Sequence, residues 1–250
     1  MIKMGLSNTF GIVICAGSFL YTFHVLYNFM YFTSAHNENY KTLVQTPTDD
    51  NMIVISLWKL FQNTCLLSVF MLQHSAMSSK FIKNIYENLN IPDIERSIYN
   101  GFSSAALHFV ISYWQAVPWI SFWNFDTSTN NKLWIFFTCL HLLGWFIIYS
   151  GCVMLDISEL SGLKQVYYKI SNRPCPMSTK SKEYQRYLLH MRHPSFIGFL
   201  LILWMHPFMT LDRFLLSSIL SAYMLIMWTI DEEDCQYHAT NVYRKHRELS

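Results

Sequence analysis

The sequence predicts an all-α fold, a polytopic transmembrane helical bundle of about six spans that takes up residues 1–250 as a single integral membrane domain. Three observations predict it. Hydrophobic residues make up 52% of the 250 positions and charged residues only 14%, which is more apolar surface than a soluble domain of this size can bury. Six apolar runs approach the length of about 20 residues that crosses a bilayer. Lysines and arginines cluster in alternate loops between these runs.

The six apolar runs are bounded by charge clusters and prolines. The first run is much longer than the apolar region of a signal peptide, so we expect it to be retained as a span. The last two runs are separated only by Leu211-Asp212-Arg213, and this short interval predicts a C-terminal helical hairpin. The predicted spans cover approximately 6–32, 52–72, 101–123, 133–153, 195–211 and 214–230.

The distribution of positive charge predicts the orientation of the bundle. Fourteen of the 18 lysines and arginines lie in the N-terminal segment, the 73–100 and 154–194 loops and the C-terminal tail. Short loops rich in Lys and Arg face the cytoplasmic side of helical membrane proteins. We therefore expect both termini to face the cytosol, or the nucleoplasm if the membrane is nuclear.

Charge and cysteine usage argue against several other classes of protein. A formal net charge of +2 with scattered cations does not predict a nucleic-acid-binding surface. The six cysteines form no CxxC pair, which argues against a disulfide framework or a zinc site. His108, His141 and His206 lie inside predicted spans without carboxylates at ligand spacing, so we interpret them as packing residues and predict no metal site.

Two polar clusters flank the predicted hairpin. Arg192-His193-Pro194 precedes its first helix and Asp231-Glu232-Glu233-Asp234 follows its second, so the hairpin places both clusters on one membrane face. Proline suits a first helical turn, whose backbone N–H groups attract carboxylates and phosphates. Four carboxylates at a helix C-terminus oppose the helix dipole. Their partner is either a set of neighbouring basic residues or a ligand that carries a positive charge.

The predicted topology brings further polar residues to that same face. His74 ends the second span, and Asp156, Glu159 and Gln165 follow the fourth. A single histidine at a span end is more often an interfacial residue than a catalytic one. The co-location of these residues favours a binding site, and we include His74 and Gln165 among its candidate members.

Several separated motifs give the sequence a wider resemblance. These motifs follow one another along most of the chain: Gln73-His74-Ser75-Ala76-Met77, Glu95-Arg96-Ser97-Ile98-Tyr99, Trp114-Gln115-Ala116-Val117-Pro118-Trp119, Gly144-Trp145, Leu160-Ser161-Gly162-Leu163-Lys164-Gln165, Arg192-His193-Pro194, Leu211-Asp212-Arg213 and Asp231-Glu232-Glu233-Asp234. With these motifs in this order, the sequence resembles the nurim family of inner nuclear membrane proteins, and that family is in turn similar to isoprenylcysteine carboxyl methyltransferases and methanethiol S-methyltransferases.

The resemblance to the methyltransferases implies a site for S-adenosylmethionine. Those enzymes carry an Arg-His-Pro-x-Tyr-x-Gly segment, then Glu-Glu, then Gly-x-x-Tyr. Phe196 stands here in place of the first tyrosine, and Thr240 stands in place of the second glycine. The residues at the cofactor-motif positions of this sequence are Arg192, His193, Pro194, Phe196, Gly198, Glu232, Glu233 and Tyr243.

Two functions therefore remain open. The nurim resemblance implies a multi-pass protein of the inner nuclear membrane with a structural or organisational role, surrounded by lipid and in contact with the nuclear lamina or other envelope proteins. The alternative is a membrane-embedded methyltransferase that uses S-adenosylmethionine and acts on a thiol or carboxylate of an apolar substrate. In-line methyl transfer depends mainly on positioning and a dry site, so the lack of an obvious base does not argue against an enzyme.

Overall fold

The computed structural model describes residues 6–35, 51–180, 195–227 and 232–249. Helices dominate these residues, and two short strands accompany them. The helices are α1 (Leu6–Ser34), α2 (Met52–Met77), α3 (Lys80–Asn88), α4 (Glu95–Tyr113), α5 (Asn131–Met154), α6 (Ile157–Leu160), α7 (Leu163–Ile170), α8 (Phe196–Trp204), α9 (Leu211–Met227) and α10 (Glu232–Leu249). Single 3₁₀ turns lie at Pro92–Ile94 and Pro176–Thr179, and the strands are β1 (Ser121–Asn124) and β2 (Phe208–Thr210).

Three of the described helices are long and apolar enough to cross a membrane: Thr9–Ser34, Met52–Met77 and Asn131–Met154. They coincide with the predicted spans 6–32, 52–72 and 133–153. Their outer surfaces carry large apolar side chains that the described residues leave mostly exposed. Leu20, Leu72 and Phe146 are each about 70% exposed, as expected for side chains that face lipid. The structure thus confirms a mainly α-helical fold of membrane type.

The predicted span 101–123 is wrong in its bounds. Helix α4 begins earlier, at Glu95, and ends at Tyr113, and β1 occupies the end of the predicted span. Pro118 lacks an N–H and disfavours helical backbone at Val117. The backbone between α4 and β1 instead bonds to side chains of other helices, as described below, so the chain leaves the helix without losing its hydrogen bonds.

The region of the predicted C-terminal hairpin also differs from expectation. Helix α8 has nine residues and α9 has 17, and β2 between them pairs antiparallel with β1. Leu211-Asp212-Arg213 was predicted to be the connecting turn, but it forms the first turn of α9. The connecting backbone is instead satisfied by the β1–β2 pairing and by the Leu211 N–H, which donates to the carbonyl of Ile120, the residue before β1, over 2.9 Å.

Close glycine packing joins α8 to α5. A Cβ added to Gly198 would lie 2.6 Å from the Gly144 carbonyl oxygen, and one added to Gly144 would lie 2.7 Å from the Ile202 side chain. Glycines at such crossings let membrane helices approach closely. The main hydrophobic core lies beside this crossing and includes Leu67, Trp145 and Ile202.

Candidate functional site

Polar and aromatic side chains from three helices meet where α2 ends and α4 begins. The Tyr99 hydroxyl lies 2.8 Å from Nε2 of His74, and the Ser75 hydroxyl lies 2.9 Å from the Tyr223 hydroxyl. The ring of Tyr223 also packs edge-on against His74, with 6.3 Å between centroids. We call this region, together with the 156–170 segment that packs beside it, the site end of the bundle.

Gln73 adds an unsatisfied group to the site end. Both polar atoms of its side-chain amide are buried and have no hydrogen-bond partner among the described residues. A buried amide without a partner costs about 1–3 kcal/mol, so proteins rarely retain one without a reason. Gln73 precedes His74 directly and shares its helix end, so the amide marks this region as a candidate for ligand binding.

The 156–170 segment is held against the first turns of α4 by hydrogen bonds to its backbone. Asn100 donates to the Leu160 carbonyl over 2.7 Å, and Arg96 donates to the Glu159 carbonyl over 3.3 Å. Gly162 lies between these contacts with φ of +88°, and a Cβ there would lie 2.3 Å from the Ser97 hydroxyl oxygen. Only glycine fits that backbone and that approach.

Two carboxylates in this segment are paired with lysines. Glu159 is buried, and Lys180 donates to its Oε1 over 2.7 Å. Lys164 lies 2.7 Å from Oδ2 of Asp156. Hydrogen bonds from Lys164 and then from Ser158 lower the pKa of Asp156 to about 2. The hydrogen bond to Asp156 in turn raises the pKa of Lys164. Lysines of this loop therefore neutralise the loop's own carboxylates, and the predicted partner of the cluster Asp231-Glu232-Glu233-Asp234 stays a prediction.

Gln165 belongs to the same assembly. Its side-chain nitrogen donates to the Glu159 carbonyl over 3.1 Å, while its side-chain oxygen is buried without a partner among the described residues. The sequence predicted His74 and Gln165 on one face, and the structure places both beside the first turns of α4. The site end thus has two buried amide side chains, those of Gln73 and Gln165, with acceptor or donor capacity to spare.

The other predicted cofactor residues are placed differently. Phe196 packs against the hydrophobic core, Gly198 is used for the α8–α5 crossing, and Tyr243 on α10 is 83% exposed. Arg192, His193 and Pro194 lie outside the described residues, and for Glu232 and Glu233 only the backbone of α10 is described. The site for S-adenosylmethionine therefore stays a prediction.

The three histidines predicted to lie inside spans make hydrogen bonds to protein groups, two from helices and His206 from the segment between α8 and β2. His141 contacts the Ser34 hydroxyl at 2.9 Å and the Met205 carbonyl at 3.0 Å. His206 contacts the Phe208 carbonyl at 2.9 Å, and His108 contacts the Tyr21 hydroxyl at 3.0 Å. Among the described residues, no group of three or more His, Cys, Asp or Glu side chains is arranged to hold a metal ion.

The opposite end of the bundle holds the non-helical segment Trp114–Trp119. Asp212 accepts from the Trp114 indole and from the Val117 N–H, both over 2.9 Å. Asn63 and the Gln115 backbone exchange two hydrogen bonds of 2.8 and 2.9 Å. Lys59 donates to the Ala116 carbonyl over 3.0 Å. We call this region the clamp end.

Sequence reasoning missed several of these roles. Lys59 and Asn63 were visible as polar residues inside a predicted span, and polar residues there commonly satisfy backbone or other polar groups. Tyr223 was visible as a hydroxyl within the apolar run 214–230. The unpartnered amide of Gln73 had no signal in the sequence, because the lack of a partner depends on three-dimensional packing.

Comparison with known proteins identifies relatives over most of the chain. A nurim homolog of Drosophila pseudoobscura pseudoobscura is 37% identical over 187 residues, which is 75% of this chain and 74% of the relative. The nurim of Rattus norvegicus is 33% identical over 204 residues, 80% of this chain and 76% of the relative. No family model and no solved structure matches the chain. At this identity and coverage, the chain belongs to the nurim family.

Proposed function

We propose that this protein is a multi-pass protein of the inner nuclear membrane with a structural or organisational role in the nuclear envelope. The observation that carries the proposal is the likeness to nurim proteins over three quarters of the chain. The described residues also support it, because most of them lie in helices and the long helices expose apolar surface to lipid. The nuclear lamina or other envelope proteins are the expected partners.

The proposal includes six membrane-crossing segments, with both termini on the nucleoplasmic side. Helix α4 lies beside α1 and α2. Helix α8 lies beside the long helix α5, and α9 lies beside α2 and α8. Contacts of α2 with α4 and the segment that follows it run from Asn63 and Gln115 at the clamp end to His74 and Tyr99 at the site end. Because α4, α8 and α9 thus share the layer of the three long helices, we infer that they also cross or enter the bilayer.

Imaging and accessibility measurements test this proposal. A fluorescently tagged copy should mark the nuclear rim and resist extraction by mild detergent. Epitopes at both termini should stay hidden from antibodies when only the plasma membrane is permeabilised, and should become accessible when the nuclear envelope is opened. A diffuse endoplasmic reticulum pattern would argue against the location. Opposite accessibility of the two termini would argue against an even number of crossings.

A second candidate function rests on buried amide atoms that have no partner among the described residues, namely both polar atoms of Gln73 and the side-chain oxygen of Gln165. Such groups are expected where a ligand supplies the missing hydrogen bonds. Through the family resemblance, the ligand would be S-adenosylmethionine and the activity methyl transfer to a thiol or carboxylate of an apolar substrate. This chain's own contribution would be to hold a polar ligand beside His74 and Tyr99 at the end of the bundle.

Isothermal titration of the detergent-solubilised protein tests the second candidate. S-adenosylmethionine and its demethylated product should bind, and Gln73→Ala should weaken binding about tenfold if it removes one ligand hydrogen bond of about 1.4 kcal/mol. The control is Gln62→Ala on the same helix, where the side chain borders an open apolar groove rather than the site end. Equal binding by both variants, or no binding of either compound at millimolar concentration, would rule out this site.

A further inference from the structure

Helix α3 carries an apolar stripe that no described residue covers. Phe81, Ile85 and Leu89 follow one another at intervals of four residues and are 72%, 39% and 61% exposed. Residues four apart lie on the same face of a helix, so the three side chains form one continuous strip along α3 and its C-cap. The neighbouring apolar edge is different, because Ile82 and Tyr86 are half-buried against the protein. Burial, and then the nearby carboxylate of Glu95, raise the pKa of Tyr86.

The opposite face of α3 is polar. Lys83 and Glu87 are exposed and lie two residues after Phe81 and Ile85, which places them about 200° around the helix. Lys80 and Asn84 continue this face. The helix therefore has one edge against the protein, one apolar strip that is open, and one charged side. Its N-cap is satisfied, because the Ser79 hydroxyl accepts from the Ile82 N–H.

The position of α3 in the chain indicates what covers the strip. Only Ser78 and Ser79 separate α3 from Met77, the last residue of the membrane-crossing helix α2. The last turns of α2 expose Val69 and Leu72, by 54% and 70%. The open strip of α3 therefore begins where the lipid-facing surface of α2 ends. A short amphipathic helix at such a place lies in the plane of the interface, with its apolar side about 5–10 Å into the headgroup and acyl boundary.

We propose that α3 is an interfacial anchor whose strip Phe81–Ile85–Leu89 inserts into the phospholipid headgroup layer on the site-end side of the membrane. The two lysines on the charged side remain in water or reach phosphates, and they leave the helix with a net charge of +1 against Glu87. The anchor fixes the depth of the last turns of α2, so His74 lies within roughly two helical turns of the bilayer surface.

Fluorescence in lipid nanodiscs tests the anchor on the full-length chain. A genetically encoded environment-sensitive fluorescent amino acid replaces Phe81 or Ile85 and, as matched controls two residues away, Lys83 or Glu87. Spin-labelled phospholipids should quench positions 81 and 85 about twofold more than 83 and 87, because only the apolar side reaches the acyl boundary. Iodide in the water should quench positions 83 and 87 more strongly.

Two outcomes would overturn the proposal. Equal iodide quenching at all four positions would mean that the strip faces water. Protection of positions 81 and 85 from iodide without quenching by spin-labelled lipid would mean that protein, such as a second copy of the chain, covers the strip. A variant that misfolds is recognised by loss of its size-exclusion peak. The comparison then rests on the other matched pair, 85 with 87 in place of 81 with 83, or the reverse.

Discussion

The clamp end and the site end both bury polar side chains, but they differ in how many of those polar atoms have hydrogen-bond partners. At the clamp end, Asp212 and Asn63 are buried, and their side chains form hydrogen bonds with the backbone and the Trp114 indole of the Trp114–Trp119 segment. At the site end, buried amide atoms of Gln73 and Gln165 have no partner among the described residues. Satisfied polar networks stabilise and specify a fold, whereas unsatisfied ones cost stability. The difference indicates a structural role for the first end and a binding role for the second.

The largest expected effect is at Asp212. Asp212→Ala removes two hydrogen bonds to a buried carboxylate and leaves the Trp114 indole and the Val117 N–H unpaired, so the free energy of unfolding should fall by about 3 kcal/mol. Thermal unfolding of the detergent-solubilised protein measures it. The control is Glu87→Ala, which removes an exposed carboxylate of α3 and should leave the unfolding midpoint unchanged. Equal midpoints for both variants would contradict the clamp.

A smaller effect is expected at Gly162, in the segment that packs on α4. Gly162→Ala places a Cβ against Ser97 at a backbone φ of +88°, so the free energy of unfolding should fall by about 1–3 kcal/mol. The matched control is Gly17→Ala in α1, where a Cβ meets nothing within 4 Å. That change should be neutral or slightly stabilising, because alanine favours a helix. Amide hydrogen exchange should also rise in 156–170 for Gly162→Ala alone.

The smallest effect is a pH dependence at the site end. Hydrogen bonding lowers the pKa of Asp156 from 3.8 to about 2, so its ion pair with Lys164 stabilises the fold above pH 3.8 and this contribution is lost as the pH falls through about 2. The contribution is small, because the carboxylate is 38% exposed and solvent screens it. Asp156→Asn should reduce the difference between unfolding midpoints measured at pH 4 and pH 2, because Asp126, whose pKa is also lowered to about 2, still titrates there; an unchanged difference would contradict the pairing.

Sequence reasoning predicted the part of the fold that depends on long apolar runs. Helices long and apolar enough to cross a bilayer occur at the predicted spans 6–32, 52–72 and 133–153, because apolar runs of that length have few alternatives to a helix in a bilayer. The error at 101–123 arose because hydropathy ignores where backbone hydrogen bonds go. The residues Trp114–Trp119 are apolar enough to be counted as part of the predicted span. Their backbone is not helical, however, because Asn63 and Asp212, which are distant in sequence, provide hydrogen-bond partners for it.

The candidate site was only partly predictable for a similar reason. Loop topology was sufficient to place His74 and Gln165 at one end, because alternating helices bring alternate loops together. The partners Tyr99 and Tyr223 depend on helix rotation, which the sequence does not specify at single-residue precision. Gly198 packs against Gly144, a role of small residues at helix crossings that its motif position did not predict, and its place at a cofactor stays a prediction.

The most direct test of the contrast between the two ends is the unfolding free energy of Asn63→Ala compared with Gln73→Ala. The account predicts a loss of about 2–3 kcal/mol for Asn63→Ala, because two hydrogen bonds to the Gln115 backbone disappear in a buried place. Gln73→Ala should cost less than about 1 kcal/mol, because it removes an amide that has no partner. Equal losses for the two variants would show that Gln73 is a structural residue and would contradict the assignment of a binding role to the site end.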